Sequence, residues 1–125
     1  STHLNPTHEY GVTFERGTAV DYDDRRHVII SGTASIDNKG QIVHPGDIRN
    51  QTLRMWENVE VLLAEAEATY DDVMHMIVYL RDIADYSVVS RMFNERFPEC
   101  PKVFVQAPVC RPGWLIEMEC IAICK

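Results

Sequence analysis

The chain is expected to fold as an α+β sandwich, a mixed sheet with two helices packed on one face. Three patterns point there. Thr52, Met55, Trp56, Val59, Leu62, Leu63 and Ala66 recur at three-and-four spacing, which marks an amphipathic helix. Tyr86, Val89, Met92, Phe93 and Phe97 form a second such stripe. Trp114, Ile116, Met118, Cys120, Ala122 and Cys124 alternate strictly, as in a strand with one wholly apolar face that packs on the helices.

The elements follow in chain order. Tyr10 to Val20 alternates weakly, and the polar break Asp21-Tyr22-Asp23-Asp24 predicts a first hairpin. His27-Val28-Ile29-Ile30 restarts as a strand and runs into Ser31-Gly32-Thr33-Ala34-Ser35, small residues that let a backbone or a ligand come close. Asp37-Asn38-Lys39-Gly40 is turn chemistry, and Gln41-Ile42-Val43 reads as a short additional strand. Asp47, after His44-Pro45-Gly46, is the expected N-cap of a helix of about five turns at ~3.6 residues per turn. Tyr70-Asp71-Asp72 ends that helix, and Val73 to Leu80 is apolar enough for a buried strand. Asp85 is expected to cap the second helix, which Pro98 stops. Val103 to Ala107 is a short strand, and Pro108 to Gly113 a Pro-bearing connection into the last strand. The other face of that strand, Leu115, Glu117, Glu119, Ile121 and Ile123, mixes two carboxylates with aliphatics. A half-apolar face needs a cover, and further copies of the chain in a closed homo-oligomer are the expected one.

Composition bounds the function. The 125 residues fit one domain spanning 1–125, with 46% hydrophobic and 25% charged residues, normal for a globular protein. Twelve Lys and Arg against nineteen Asp and Glu leave a net charge of −7, the wrong sign for a phosphate-backbone binder, so no nucleic-acid partner is expected. The apolar runs fall short of the ~20 residues a membrane span needs, and no membrane partner is expected. The N-terminal Ser-Thr-His-Leu-Asn-Pro has neither a basic n-region nor an apolar h-region, so no secretory signal is read there. It also has no initiator Met, so the chain is expected to be processed or part of a longer protein. Cys100, Cys110, Cys120 and Cys124 have no zinc or redox spacing, and the five His are scattered. No metal and no cofactor are expected, and the thiols suit a cytoplasmic location.

Ile30-Ser31-Gly32, Gln51-Thr52 with Glu57-Asn58-Val59 and Leu62-Leu63, Asp72-Val73 through Val78-Tyr79-Leu80-Arg81-Asp82, Asp85-Tyr86, Phe97-Pro98, and Ile116-Glu117-Met118-Glu119 resemble segments of the Rid/YjgF superfamily, also known as the L-PSP endoribonuclease-like proteins. The resemblance implies a chorismate-mutase-like fold and a homotrimer with three clefts at subunit interfaces. It implies a proton-relaying or water-positioning role for Glu117, and places Tyr10 near an aromatic that lines the cleft. Family deaminases carry an Arg two residues after a Pro, a bidentate clamp for the substrate carboxylate. Here that position is Val103, in Pro101-Lys102-Val103. Ser31-Gly32-Thr33-Ala34-Ser35-Ile36, His44-Pro45-Gly46-Asp47-Ile48 and Cys110-Arg111-Pro112 before Leu115-Ile116-Glu117 resemble, more narrowly, the C-terminal half of chorismatases.

The candidate site residues follow. Glu117, flanked by Leu115 and Ile121, is expected to have its carboxyl raised by desolvation and to act as the proton-transfer residue. The alternative is that Glu117 and Glu119 face an interface and pair with Arg. Arg111 is either a replacement carboxylate anchor or an exposed loop Arg. Cys110 is read as cleft lining, and Ser31, Thr33 and Ser35 either line the pocket or pack a tight strand. The expected function is a hydrolase-like domain acting on an enolpyruvyl or imine-type carboxylate metabolite through Glu117. The alternative is a non-catalytic metabolite-binding or interaction domain that lost the deaminase Arg.

Overall fold

The computed structural model describes residues 10–14 as backbone, and 17–37, 39–109 and 113–125 in full. Among them, strands β1 (Tyr10–Phe14), β2 (Gly17–Asp21) and β3 (Arg26–Thr33) precede helix α1 (Ile48–Glu65). Strand β4 (Val73–Leu80), helix α2 (Tyr86–Arg96), and strands β5 (Lys102–Gln106) and β6 (Ile116–Cys124) follow. The strands form one mixed sheet in the order β1-β2-β3-β6-β4-β5, in which only β4 and β5 run parallel. The α+β architecture with both helices on one face is as expected.

The two apolar stripes make the helix layer. Gln51, Thr52, Met55, Trp56, Val59, Leu62 and Leu63 are the buried residues of α1, and Val89 and Phe93 those of α2. Against them stand Val28 and Ile30 of β3, Met76, Val78 and Leu80 of β4, and Ile116, Met118, Cys120 and Ala122 of β6. Phe93 meets Trp56 edge-on at 5.1 Å and Phe104 of β5 at 5.6 Å, which joins the two helices to the β5 end of the sheet. Cys120 is a core residue, and burial pushes its thiol up to about 12.

Asp47 does cap α1: its carboxylate accepts from the Asn50 N–H at 3.1 Å. The helix closes in a Schellman motif, with the Ala68 N–H on Leu63 O at 2.8 Å and the Glu67 N–H on Ala64 O at 2.9 Å. Arg26 adds a bond to Ala66 O at 3.1 Å while Asp21 holds its guanidinium with both oxygens.

Four local expectations are corrected. The weakly alternating segment 10–20 is two strands, β1 and β2, and the polar break joins β2 to β3. Gln41-Ile42-Val43 is no strand but one isolated bridge, Ile36 to Ile42. β4 is buried on one face only: Met74 is 52% exposed at a bulge where two residues of β4 oppose one of β6. Asp85 occupies the N-cap position of α2 but its side chain makes no cap bond. A 3₁₀ turn, Ile83–Asp85, precedes the helix, and Asp82 caps it by accepting from the Ala84 N–H at 2.9 Å.

Candidate active site

The sheet face away from the helices carries the site. Across the register, Glu117 stands opposite Tyr79 and Glu119 opposite Ile77, so the carboxylates of β6 face the odd-numbered residues of β4. The Tyr79 hydroxyl reaches diagonally and donates to Glu119 Oε1 at 2.8 Å. That bond, with some desolvation, holds the phenol above its ordinary ionisation range.

On the other side of β6, the β3 pairing slips by one residue between Ile30 and Thr33, a bulge at Ser31-Gly32. The bulge turns the Gly32 backbone toward Glu117, and a β-carbon on Gly32 would lie 2.7 Å from Glu117 Oε1. Glycine is therefore what the carboxylate requires there. Glu117 is only 7% exposed although it points away from the helical core. Gly32, Tyr79, Ala107, Pro108, Val109, Glu117 and Glu119 line a cavity of about 390 Å³.

Two polar side chains, the half-buried Arg81 and the buried Gln51, hold the approach to β6. Arg81 donates from Nε to Trp114 O at 2.8 Å and from Nη2 to Val109 O at 3.2 Å. Gln51, fully buried on α1, donates to His44 O and Gly113 O, each at 3.1 Å, and accepts from the Leu115 N–H at 2.9 Å. The strand that delivers Glu117 is thus tied to both β4 and α1.

Wider hollows of about 700 and 690 Å³ lie on the helix side around Arg96. There the Arg96 guanidinium is already stacked over Trp56, Tyr70 and Phe97, 5.2 Å from each ring. The smaller cavity is the one that joins an almost buried carboxylate to an opening. Among the described residues no His, Cys, Asp and Glu groups converge to hold a metal ion.

A family model described as Endoribonuclease L-PSP matches residues 17–124. The chain belongs to this family, the Rid/YjgF superfamily. A RutC family protein of Pyrococcus abyssi is 36% identical over 97 residues, 76% of each chain. The 3-aminoacrylate deaminase RutC of Acinetobacter baylyi is 33% identical over 97 residues, 76% of this chain and 77% of its own. A crystal structure of the Rid family protein YyfA from Yersinia pestis has the same fold, with TM-score 0.71 and 22% identity over 97% of this chain and 90% of its own.

Against this Rid framework the sequence-derived residues separate. Glu117 lines the cavity. Ser31 is exposed at the bulge, and its carbonyl accepts from the Thr33 hydroxyl at 2.7 Å. Thr33 and Ser35 are buried, and the Ser35 hydroxyl is spent on Val43 O at 2.7 Å, so neither is among the lining residues. Thr33 pairs with Met118 and so belongs to the helix-facing side of the sheet. Tyr10 pairs with Asp21 in the edge strand β1, while its side chain lies outside the described residues. Cys110 and Arg111 also lie outside the described residues, immediately after the lining residue Val109. Val103 is 57% exposed and pairs with Ile77 on the outer face.

Sequence reasoning missed Tyr79, Gly32 as the seat of Glu117, and the ties made by Arg81 and Gln51. The alternation His75, Ile77, Tyr79 was the available signal for the first. It names a face without naming the neighbour.

Proposed function

We propose that this Rid-family chain is a small-molecule hydrolase acting on an enolpyruvyl or imine-type carboxylate metabolite through Glu117. One observation carries the reading: a carboxylate only 7% exposed that nevertheless lines a cavity of about 390 Å³. Both candidate reactions need a group that gives a proton to carbon and takes one from water. An enamine acid protonated on carbon becomes an iminium ion, water adds to the C=N bond, and the carbinolamine loses ammonia to leave the oxo acid. An enolpyruvyl ether protonated on its methylene carbon becomes an oxocarbenium ion, and water addition followed by hemiketal collapse releases pyruvate and the alcohol. Glu117 would serve either sequence by alternating between carboxylic acid and carboxylate. The 33% identity to a protein named 3-aminoacrylate deaminase supports the imine branch.

In this reading Arg111 anchors the substrate carboxylate and Cys110 lines the cleft, both following Val109 in the chain. Ser31 serves at the bulge, and the buried Thr33 and Ser35 shape the strand behind it. A homotrimer supplies the cover for the outer face. Support for it comes from Ile29, Val103 and Val105, which are 42%, 57% and 37% exposed there, beside the half-buried Ile77, Ile121 and Ile123. The free thiols of Cys100, Cys120 and Cys124 suit a reducing compartment such as the cytoplasm.

The test is product release above the spontaneous rate: ammonia from 2-aminoacrylate and 3-aminoacrylate, and pyruvate from chorismate. Release that Glu117→Gln abolishes in an otherwise unchanged oligomer establishes the reading, and release that survives the substitution ends it. A second reading is favoured by Val103, an exposed aliphatic residue at the position where the family resemblance implies an Arg. A metabolite that raises the melting temperature without being converted would mark a binding domain.

A further inference from the structure

Tyr79 is held from two directions at the wall of the cavity. Its backbone is paired opposite Glu117, and its hydroxyl proton is committed to Glu119 at 2.8 Å. A phenol has one proton to donate and two lone pairs to offer. With the proton spent, the oxygen can only accept from whatever enters the cavity. The bond to Glu119 also pushes the ionisation of the phenol up from its ordinary value. Two neighbouring lining residues offer no competing backbone donor: Pro108 has no N–H, and the Ala107 N–H is used on Leu80 O at 2.9 Å.

We propose that Tyr79, oriented by Glu119, is a specificity-determining residue of the cleft that accepts a hydrogen bond from an N–H or O–H group of the bound metabolite. The inference rests on the reading of this cavity as the substrate site. It adds which polarity the ligand presents toward β4. Tyr79 and the two carboxylates form an oxygen-rich wall that rewards a donor, and a carbonyl or ether oxygen placed there meets repulsion.

Three probes of similar shape test it on the intact chain by titration calorimetry: 2-hydroxybutyrate, which can donate, 2-oxobutyrate, which cannot, and 2-methylbutyrate, which is apolar. A neutral hydrogen bond predicts that 2-hydroxybutyrate binds about fivefold tighter than either of the others. Tyr79→Phe removes one oxygen atom and should bring that ratio below about two at an unchanged melting temperature. Glu119→Ala frees the phenol proton, and the preference should then turn toward 2-oxobutyrate. A donor preference that survives Tyr79→Phe, its absence in the wild type, or failure of all three probes to bind overturns the proposal. Turnover dependent on Glu117 without a donor preference would keep the proposed function and lose this inference. A Tyr79-dependent preference without turnover would do the reverse.

Discussion

Gly32 and Glu117 meet across the β3–β6 pair so closely that a β-carbon on Gly32 would stand 2.7 Å from the Glu117 carboxylate oxygen. The atom in the way is the end of a side chain, which can swing, so the backbone need not move. Gly32→Ala should therefore cost at most about 1 kcal/mol of stability while displacing the carboxylate. A displacement near 1 Å at a reacting group is worth roughly 100-fold in rate. Measuring kcat/KM and chemical unfolding on one preparation separates the two effects, and an active Gly32→Ala protein would remove Glu117 from the chemistry.

Gln51 serves three backbone groups from a fully buried position: His44 O, Gly113 O and the Leu115 N–H. Gln51→Leu keeps much of the volume and leaves those groups without this partner. The loss should be about 2–4 kcal/mol in urea unfolding, since each unsatisfied buried group costs about 1–3 kcal/mol. The same variant should lose activity, because the chain entering β6 sets the position of Glu117.

Glu67 closes α1 at a φ of 63°, a left-handed conformation that suits glycine. Its N–H bond to Ala64 O is made by the backbone and is kept on substitution. Glu67→Gly relieves about 1–2 kcal/mol of left-handed strain and adds roughly 0.5–1 kcal/mol of unfolded-state entropy. A net gain near 0.5 kcal/mol is expected by thermal unfolding, and a clear loss would show that the Glu67 side chain matters more than its backbone.

Acid stability should depend on two turn aspartates. The Asn50 backbone N–H, reinforced by its side chain, holds the Asp47 carboxyl below the ordinary 3.8, and the Gln41 and Lys39 N–H groups do the same for Asp37. A depressed folded-state value means these carboxylates stabilise the fold above the unfolded value, and that contribution is lost as pH falls through the folded one. Unfolding midpoints should therefore drop below about pH 4. The drop should be shallower in an Asp37→Asn, Asp47→Asn double variant, whose amide oxygens accept the same backbone N–H bonds without titrating, while the Asn50 side-chain bond to Asp47 Oδ2 is given up. Parallel acid limbs for the two proteins would contradict this.

The layers of the fold were legible because each pattern is local. The alternation from Ile116 to Cys124 names a strand face, the Thr52 to Ala66 stripe names a helix face, and Asp47 marks where that helix starts. Glu117 was legible for the same reason, as a carboxylate among aliphatics on the outer face of β6. Asp85 misled because a good capping residue fixes a turn only to within a few positions, and Asp82 three residues earlier makes the bond instead.

What the sequence by itself determined is therefore the set of elements, their apolar faces and the presence of an acid on the uncovered side. What only the tertiary structure decided is who stands beside that acid. Tyr79 and Glu119 are 40 residues apart, and their contact depends on the β4–β6 register. The approach of Gly32 depends on a one-residue slip between β3 and β6. Side chains repeat every two residues along a strand, so each strand reveals its faces from its own composition. Pairing between distant strands is set by how all the layers close together, and that closure places a phenol, a glycine and two carboxylates around one cavity.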